Sequence, residues 1–191
     1  PIMSRLFTTS DYGVLGLYMS ISGLIGVLAY SHYSQAIMLA KDNEEAKQVL
    51  WFSIVFCGGV SMLTLLIIVG MFSFTQIFNS SAVGNWLFLT PLSIFLNGIN
   101  ASMLLWANRQ KQYKTLASNR VIQAVMTVIV QAVLGFAIKN ETGLMVGLVF
   151  GQLISVVLLF RSFFSDIFAR DLFPGKMALA QVARKYKNLL F

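Results

Sequence analysis

Tyr113, Arg120, Gln123, Thr127 and Gln131 follow one another at intervals of 7, 3, 4 and 4 residues. At about 100° per residue, an α-helix gathers them onto one narrow face. Thr90, Ser93, Asn97 and Asn100 repeat at 3, 4 and 3 and make a second stripe of the same kind. Amides and hydroxyls can hydrogen-bond an uncharged polar ligand, and a guanidinium can hold an anion in a two-point grip. The chain offers little other chemistry. Its one histidine is His32, its one cysteine is Cys57, and its seven acids all lie in loops or at their edges. HExxH, GxSxG, GxGxxG and phosphate-loop patterns are missing, so an enzyme is not expected. Neither a metal site nor a cofactor is implied.

The elements that carry the two stripes follow from the distribution of charge. Of 191 residues 57% are hydrophobic and 11% charged, against about 25% charged in an ordinary soluble domain. Between Lys47 and Arg109 lie 61 residues without a formal charge, and shorter charge-free runs cover 12–40, 121–138 and 142–160. A helix crosses the apolar part of a bilayer with about 20 such residues. The long run holds two helices, divided at "FNSSAVGN" (residues 78–85), which is rich in turn formers. The fold class is therefore all-α: a polytopic membrane helix bundle with five spans, near 12–36, 49–72, 86–107, 115–138 and 142–162. The tight turn "KNETG" makes an antiparallel hairpin of the last two.

Lys and Arg counts orient the bundle. Segments 37–48, 108–120 and 161–191 hold twelve basic residues, while 1–11, 73–85 and 139–141 hold two, Arg5 and Lys139. Under the positive-inside rule the first set is cytoplasmic. Residue 1 is then outside and the C-terminus inside. The basic run "NRQKQYKTLASNR" (108–120) reads as a topological anchor, and nucleic acid is not an expected partner. Trp86 and Trp106, twenty residues apart, would place an indole at each interface of one helix. The segment "RSFFSDIFARDLF" puts Phe163, Phe164, Ile167 and Phe168 on one face, so residues 163–191 read as a cytoplasmic amphipathic linker after a membrane domain of 1–162.

Polar side chains in a span avoid lipid, where a lost hydrogen bond costs several kcal/mol. The two stripes are either interhelical hydrogen-bond glue or the lining of a wet cavity. Arg120, about two turns into its span, either snorkels to headgroups or meets an anion in water. His32, beside Tyr33 and Gln35, is a packing residue or a proton carrier. Gly143, Gly147 and Gly151 recur every fourth residue, a ridge that lets a neighbouring backbone approach closely.

Four segments resemble, in order and spacing, those of bacterial polysaccharide flippases. "PIMSRLFTTSDYGVLGLYMSI" is similar to the outer loop before that family's second helix, and "YSQAIMLAKDNEEAKQVL" to the inner end of that helix and the loop after it. "NRQKQYKTLASNRVIQAVMTVIVQ" resembles the region of the fifth helix, and "ARKYKNLLF" the run before the seventh. These flippases form the polysaccharide branch of the multidrug/oligosaccharidyl-lipid/polysaccharide exporter superfamily, with two pseudo-symmetric bundles around a central cavity. The resemblance implies a fragment forming most of the first lobe, without its opening helix. Gln35 stands where an acid is common and Ala40 where Pro is common, so no ion-coupling role carries over to them.

The implied activity is movement of undecaprenyl-diphosphate-linked oligosaccharide across the bacterial plasma (inner) membrane for O-antigen, capsule or exopolysaccharide synthesis. The lipid-linked oligosaccharide, the bilayer and the remaining helices of the transporter are the expected partners. The substrate-site candidates are Arg120, Gln123, Thr127, Gln131, Asn97, Asn100 and His32. A multidrug exporter of the same superfamily would call for an acid or an aromatic-rich cavity. A membrane glycosyltransferase would need a catalytic carboxylate or a large outer loop. A non-transporting subunit of an export complex is a third alternative. Topology is directly testable: cysteines placed at Ser81 and Asn140 should react with impermeant thiol reagents from outside sealed cells, and one at Gln112 should not. External labelling at residue 112 would invert the bundle.

Overall fold

The computed structural model describes residues 3–72, 86–138 and 140–168, which form helices and no strand. In chain order they are α1 (Met3–Leu6), α2 (Thr9–Leu39), α3 (Asn43–Phe72), α4 (Thr90–Arg109), α5 (Tyr113–Ile138) and α6 (Glu141–Phe168). The molecule is an all-α membrane bundle, and each of the five long helices among the described residues overlaps one expected span. Among the described residues, Asn43–Gly70, Tyr113–Ile138 and Glu141–Phe164 are long and apolar enough to cross a bilayer. The more polar α4 sits at the centre, packed against α2, α3 and α6 and touching α5 only lightly. Twelve of its twenty residues are buried, so its polar groups are shielded by neighbouring helices.

Local sequence explains where the helices begin and end. Thr8 caps α2 in a reciprocal box: its hydroxyl accepts from Asp11 N (3.3 Å), and Asp11 Oδ2 accepts from Thr8 N (2.7 Å). The other end of α2 is closed by Arg109. Its Nη1 donates to the carbonyls of Ile37 (3.0 Å) and Ala40 (2.8 Å), and its Nε donates to Asn43 Oδ1 (3.2 Å). A cation there satisfies carbonyls that no helical N–H can reach and suits the negative end of the helix dipole. The α4–α5 turn is tight. Lys111 takes a left-handed φ of 57°, and Gln112 N reaches back to Ala107 O at 3.0 Å. Glycine usually fills that position, so the turn carries a small backbone cost. At the α5–α6 turn, Asn140 Oδ1 accepts from Thr142 N at 3.1 Å and starts α6.

Two expectations about tryptophan fail. α4 starts at Thr90 after a turn that ties Leu89 N to Trp86 O, so Trp86 and Trp106 do not share one continuous helix. Pro91 is the cause, because it has no N–H to bond Leu87 O. Trp106 is also no interfacial anchor. It is 1% exposed and lies in the main core with Ile37, Leu50, Met103, Leu159 and Phe163, where the large ring is worth more as packing than at a surface. The boundary expected at residue 162 falls inside α6, which runs on to Phe168 with Phe163 fully buried. Residues 169–191, the rest of the expected linker, lie outside the described residues.

The glycine ridge seats α6 on α5. A Cβ at Gly147 would stand 3.0 Å from Gln131 N and 3.2 Å from Thr127 O, and one at Gly151 would strike the Thr127 hydroxyl. At the hairpin end, Phe7 fills the space beside Gly135 and Gly143 and stacks edge-on against Tyr12, with ring centroids 6.3 Å apart. Any side chain at Gly147 must push the hairpin apart. Gly147→Leu is expected to cost at least the ~1–3 kcal/mol typical of overpacking. A lowered unfolding temperature and folded yield in detergent would register it; wild-type values for both would contradict this seating.

Candidate functional site

α2, α4, α5 and α6 leave a cavity of about 310 Å³ between them, open on one side. Its polar lining is Ser22 from α2, Asn97 from α4, Gln123 and Thr127 from α5, and Gln152 from α6; Met19 and Leu148 add apolar wall. No lining residue is charged. Two hydroxyl protons are already committed, since Ser22 Oγ donates to Tyr18 O (2.7 Å) and Thr127 Oγ1 to Gln123 O (2.8 Å). Their lone pairs remain open to a donor. Gln152 is 7% exposed, and its Oε1 is buried with no hydrogen-bond partner among the described residues. Burying an unsatisfied amide oxygen is costly, and Asn119 Oδ1 is buried in the same way; of the two residues, Gln152 is the one that also lines the cavity.

The two polar stripes are divided between glue and cavity. In the stripe on α4, Ser93 pairs with the Tyr18 hydroxyl at 2.7 Å and Asn100 Oδ1 accepts from Ser155 Oγ at 2.9 Å, while Asn97 lines the cavity. In the stripe on α5, Gln131 is buried and donates to Leu144 O at 3.0 Å, while Gln123 and Thr127 line the cavity. Thus the structure brings together Asn97, Gln123 and Thr127 and assigns Asn100 and Gln131 to helix–helix contacts. Ser155 also accepts from Asn119 Nδ2 at 2.7 Å, so a relay Asn119–Ser155–Asn100 joins α5, α6 and α4.

Arg120 and Tyr113 are exposed. Arg120 stands three residues from Gln123 toward the charge-rich end, about 4.5 Å along the helix, and is not part of the cavity wall. It makes no hydrogen bond or ion pair with any described residue, in contrast to Arg109, which is spent on α2. His32 belongs to α2, and its side chain lies outside the described part of the structure. Cys57 is buried, with Sγ 3.4 Å from Ile94 O, and packs as a small core group.

Ser22 and Gln152 are the cavity residues that reading the sequence missed. For Gln152 a signal existed. It is the only amide in residues 142–160, and Ser155 three positions later lies on the same side of the helix.

A family model described as polysaccharide biosynthesis protein matches residues 2–167. The chain belongs to that family. No curated protein and no solved structure matches it. The match takes in the five long helices among the described residues, all but Phe168 of α6, so the cavity and the relay both fall within it.

The relay can be tested without a ligand. Ser155→Ala removes the partner of two buried amides and is expected to cost about 1–3 kcal/mol. Ser118→Ala, an exposed hydroxyl bonded to its own helix at Thr115 O, should change stability far less. Thermal unfolding of the two variants side by side reads the difference; equal midpoints would dissolve the relay.

Proposed function

We propose that this chain forms one lobe of a transporter that carries undecaprenyl-diphosphate-linked oligosaccharide from the inner to the outer leaflet of a bacterial plasma membrane. Such transport supplies O-antigen, capsule or exopolysaccharide assembly. The observation that carries the reading is an uncharged cavity of hydroxyls and amides between α2, α4, α5 and α6. Membership of a polysaccharide biosynthesis family supports it.

The physical task is to move a polar headgroup through the bilayer while its lipid tail stays in lipid. Ser22, Asn97, Gln123, Thr127 and Gln152 offer replacements for the water that sugar hydroxyls lose. The exposed Arg120, one turn away and without an internal partner, is free to hold the diphosphate. A second bundle rocking against this one would expose the path alternately to either side. In this reading residue 1 is outside, the C-terminus is cytoplasmic, and the chain transports rather than catalyses. A multidrug exporter fits less well, because the cavity presents no acid to an organic cation.

Arg120→Ala in the whole transporter should abolish complementation of a flippase-null strain at normal membrane levels. Arg120→Lys should restore part of the function, since charge survives and the two-point geometry does not. Normal transport by both variants would remove Arg120 from the path.

A further inference from the structure

The cavity wall has a chemical bias beyond being polar. Its three primary amides come from three helices: Asn97 from α4, Gln123 from α5 and Gln152 from α6. None of their side chains is hydrogen-bonded to a described residue. Each carries an acceptor and two donors, so the set can meet vicinal hydroxyls or an acetamido group whichever way the amides are turned. Ser22 and Thr127 have spent their protons on backbone carbonyls and can only accept. An anion entering here loses water and meets no cation in the wall, Arg120 standing outside it, and a cation meets no carboxylate. Both are penalised by desolvation without a compensating charge. An uncharged sugar residue incurs no such penalty.

We propose that this cavity selects an uncharged sugar residue, that Gln152 is a specificity-determining residue, and that acidic sugars and the diphosphate are kept out. This rests on the transport reading above and adds which part of the substrate enters the cavity. Gln152 fits the role because its place is fixed by the backbone. Gly151 beside it is pressed against Thr127, so the amide is held next to the α5 wall. Its oxygen is buried without a hydrogen-bond partner among the described residues, and turning the amide over would bring that acceptor to the cavity side, where a ligand hydroxyl or N–H could donate to it. Gln123, half-buried, stands on the same wall as Thr127.

The test compares methyl N-acetylglucosaminide with methyl glucuronide on the membrane-embedded protein in lipid nanodiscs, read by saturation-transfer NMR. The wild type should bind the neutral glycoside at least fivefold better than the acidic one. Gln152→Met, close in volume but without the amide, should lose most of that binding while its unfolding temperature holds. Gln123→Lys, a change on the less buried side of the cavity, should shift the preference toward the glucuronide. Equal binding of the two glycosides by the wild type would overturn the proposal. So would wild-type binding by Gln152→Met, or a Lys variant with unchanged preference. Complementation by the wild type, scored separately, tells the two readings apart. Transport without sugar preference sinks only the cavity assignment, and sugar binding without complementation sinks the transport reading.

Discussion

Contact between the backbones of α5 and α6 governs much of this bundle. In an apolar surround there is little hydrophobic gain in pressing helices together, so close approach must come from shape and from hydrogen bonds between helices. Gly143, Gly147 and Gly151 supply the shape, letting the Thr127 and Gln131 turns of α5 settle onto α6. The hydrogen bonds follow from that spacing. Gln131 can reach Leu144 O, and Asn119 can reach Ser155, because nothing bulkier than hydrogen stands between the helices along the ridge. The cavity is set in the same way: Thr127 and Gln152 are neighbours because Gly151 has no side chain.

The central helix shows the complementary solution. α4 carries Thr, Ser, Asn and Pro, and among the described residues it is not one of the stretches apolar enough to cross a bilayer by composition. It is sheltered instead. Tyr18 and Ser34 of α2, Ser61 and Cys57 of α3, and Ser155 of α6 each take up one of its polar groups. Asn97 is left facing the cavity, and Thr90 Oγ1 and Trp106 Nε1 are buried without a partner among the described residues. A polar helix in the middle of an apolar ring is a stable arrangement only if its groups are satisfied by neighbours or by water.

Much of this could be read before any coordinates. Charge-free runs located the five long helices, "KNETG" located the hairpin, and the fourfold glycine spacing identified the face of α6 that meets another helix. Periodicity also found Asn97, Gln123 and Thr127 as cavity-facing candidates. It could not separate them from Asn100 and Gln131, because a helical face says which way a residue points and not what stands opposite. Trp106 misled for a related reason. An indole near the end of an apolar run suits an interface equally well, and only the packing of α2, α3 and α6 around it decides for the core. Arg109 reads in the sequence as one charge of a basic loop; its use by Ile37 and Ala40 depends on contacts 72 and 69 residues apart in the chain.

Those long separations bear on the order in which the bundle can be assembled as it is made. α2 leaves the ribosome before α4, α5 and α6, yet of its fastenings only the cap of Thr8 and Asp11 is made by nearby chain. One end needs Arg109 for its last carbonyls, and the other lies beside Phe7, whose seat is formed by Gly135 and Gly143. Until α4 has been synthesised, the carbonyls of Ile37 and Ala40 must be served by water or headgroups. Until the hairpin is complete, the Phe7 ring has nowhere to dock. α2 is therefore secured only after later helices are made: truncation before residue 109 leaves its last carbonyls without their cation, and truncation before residue 143 leaves Phe7 without its full seat.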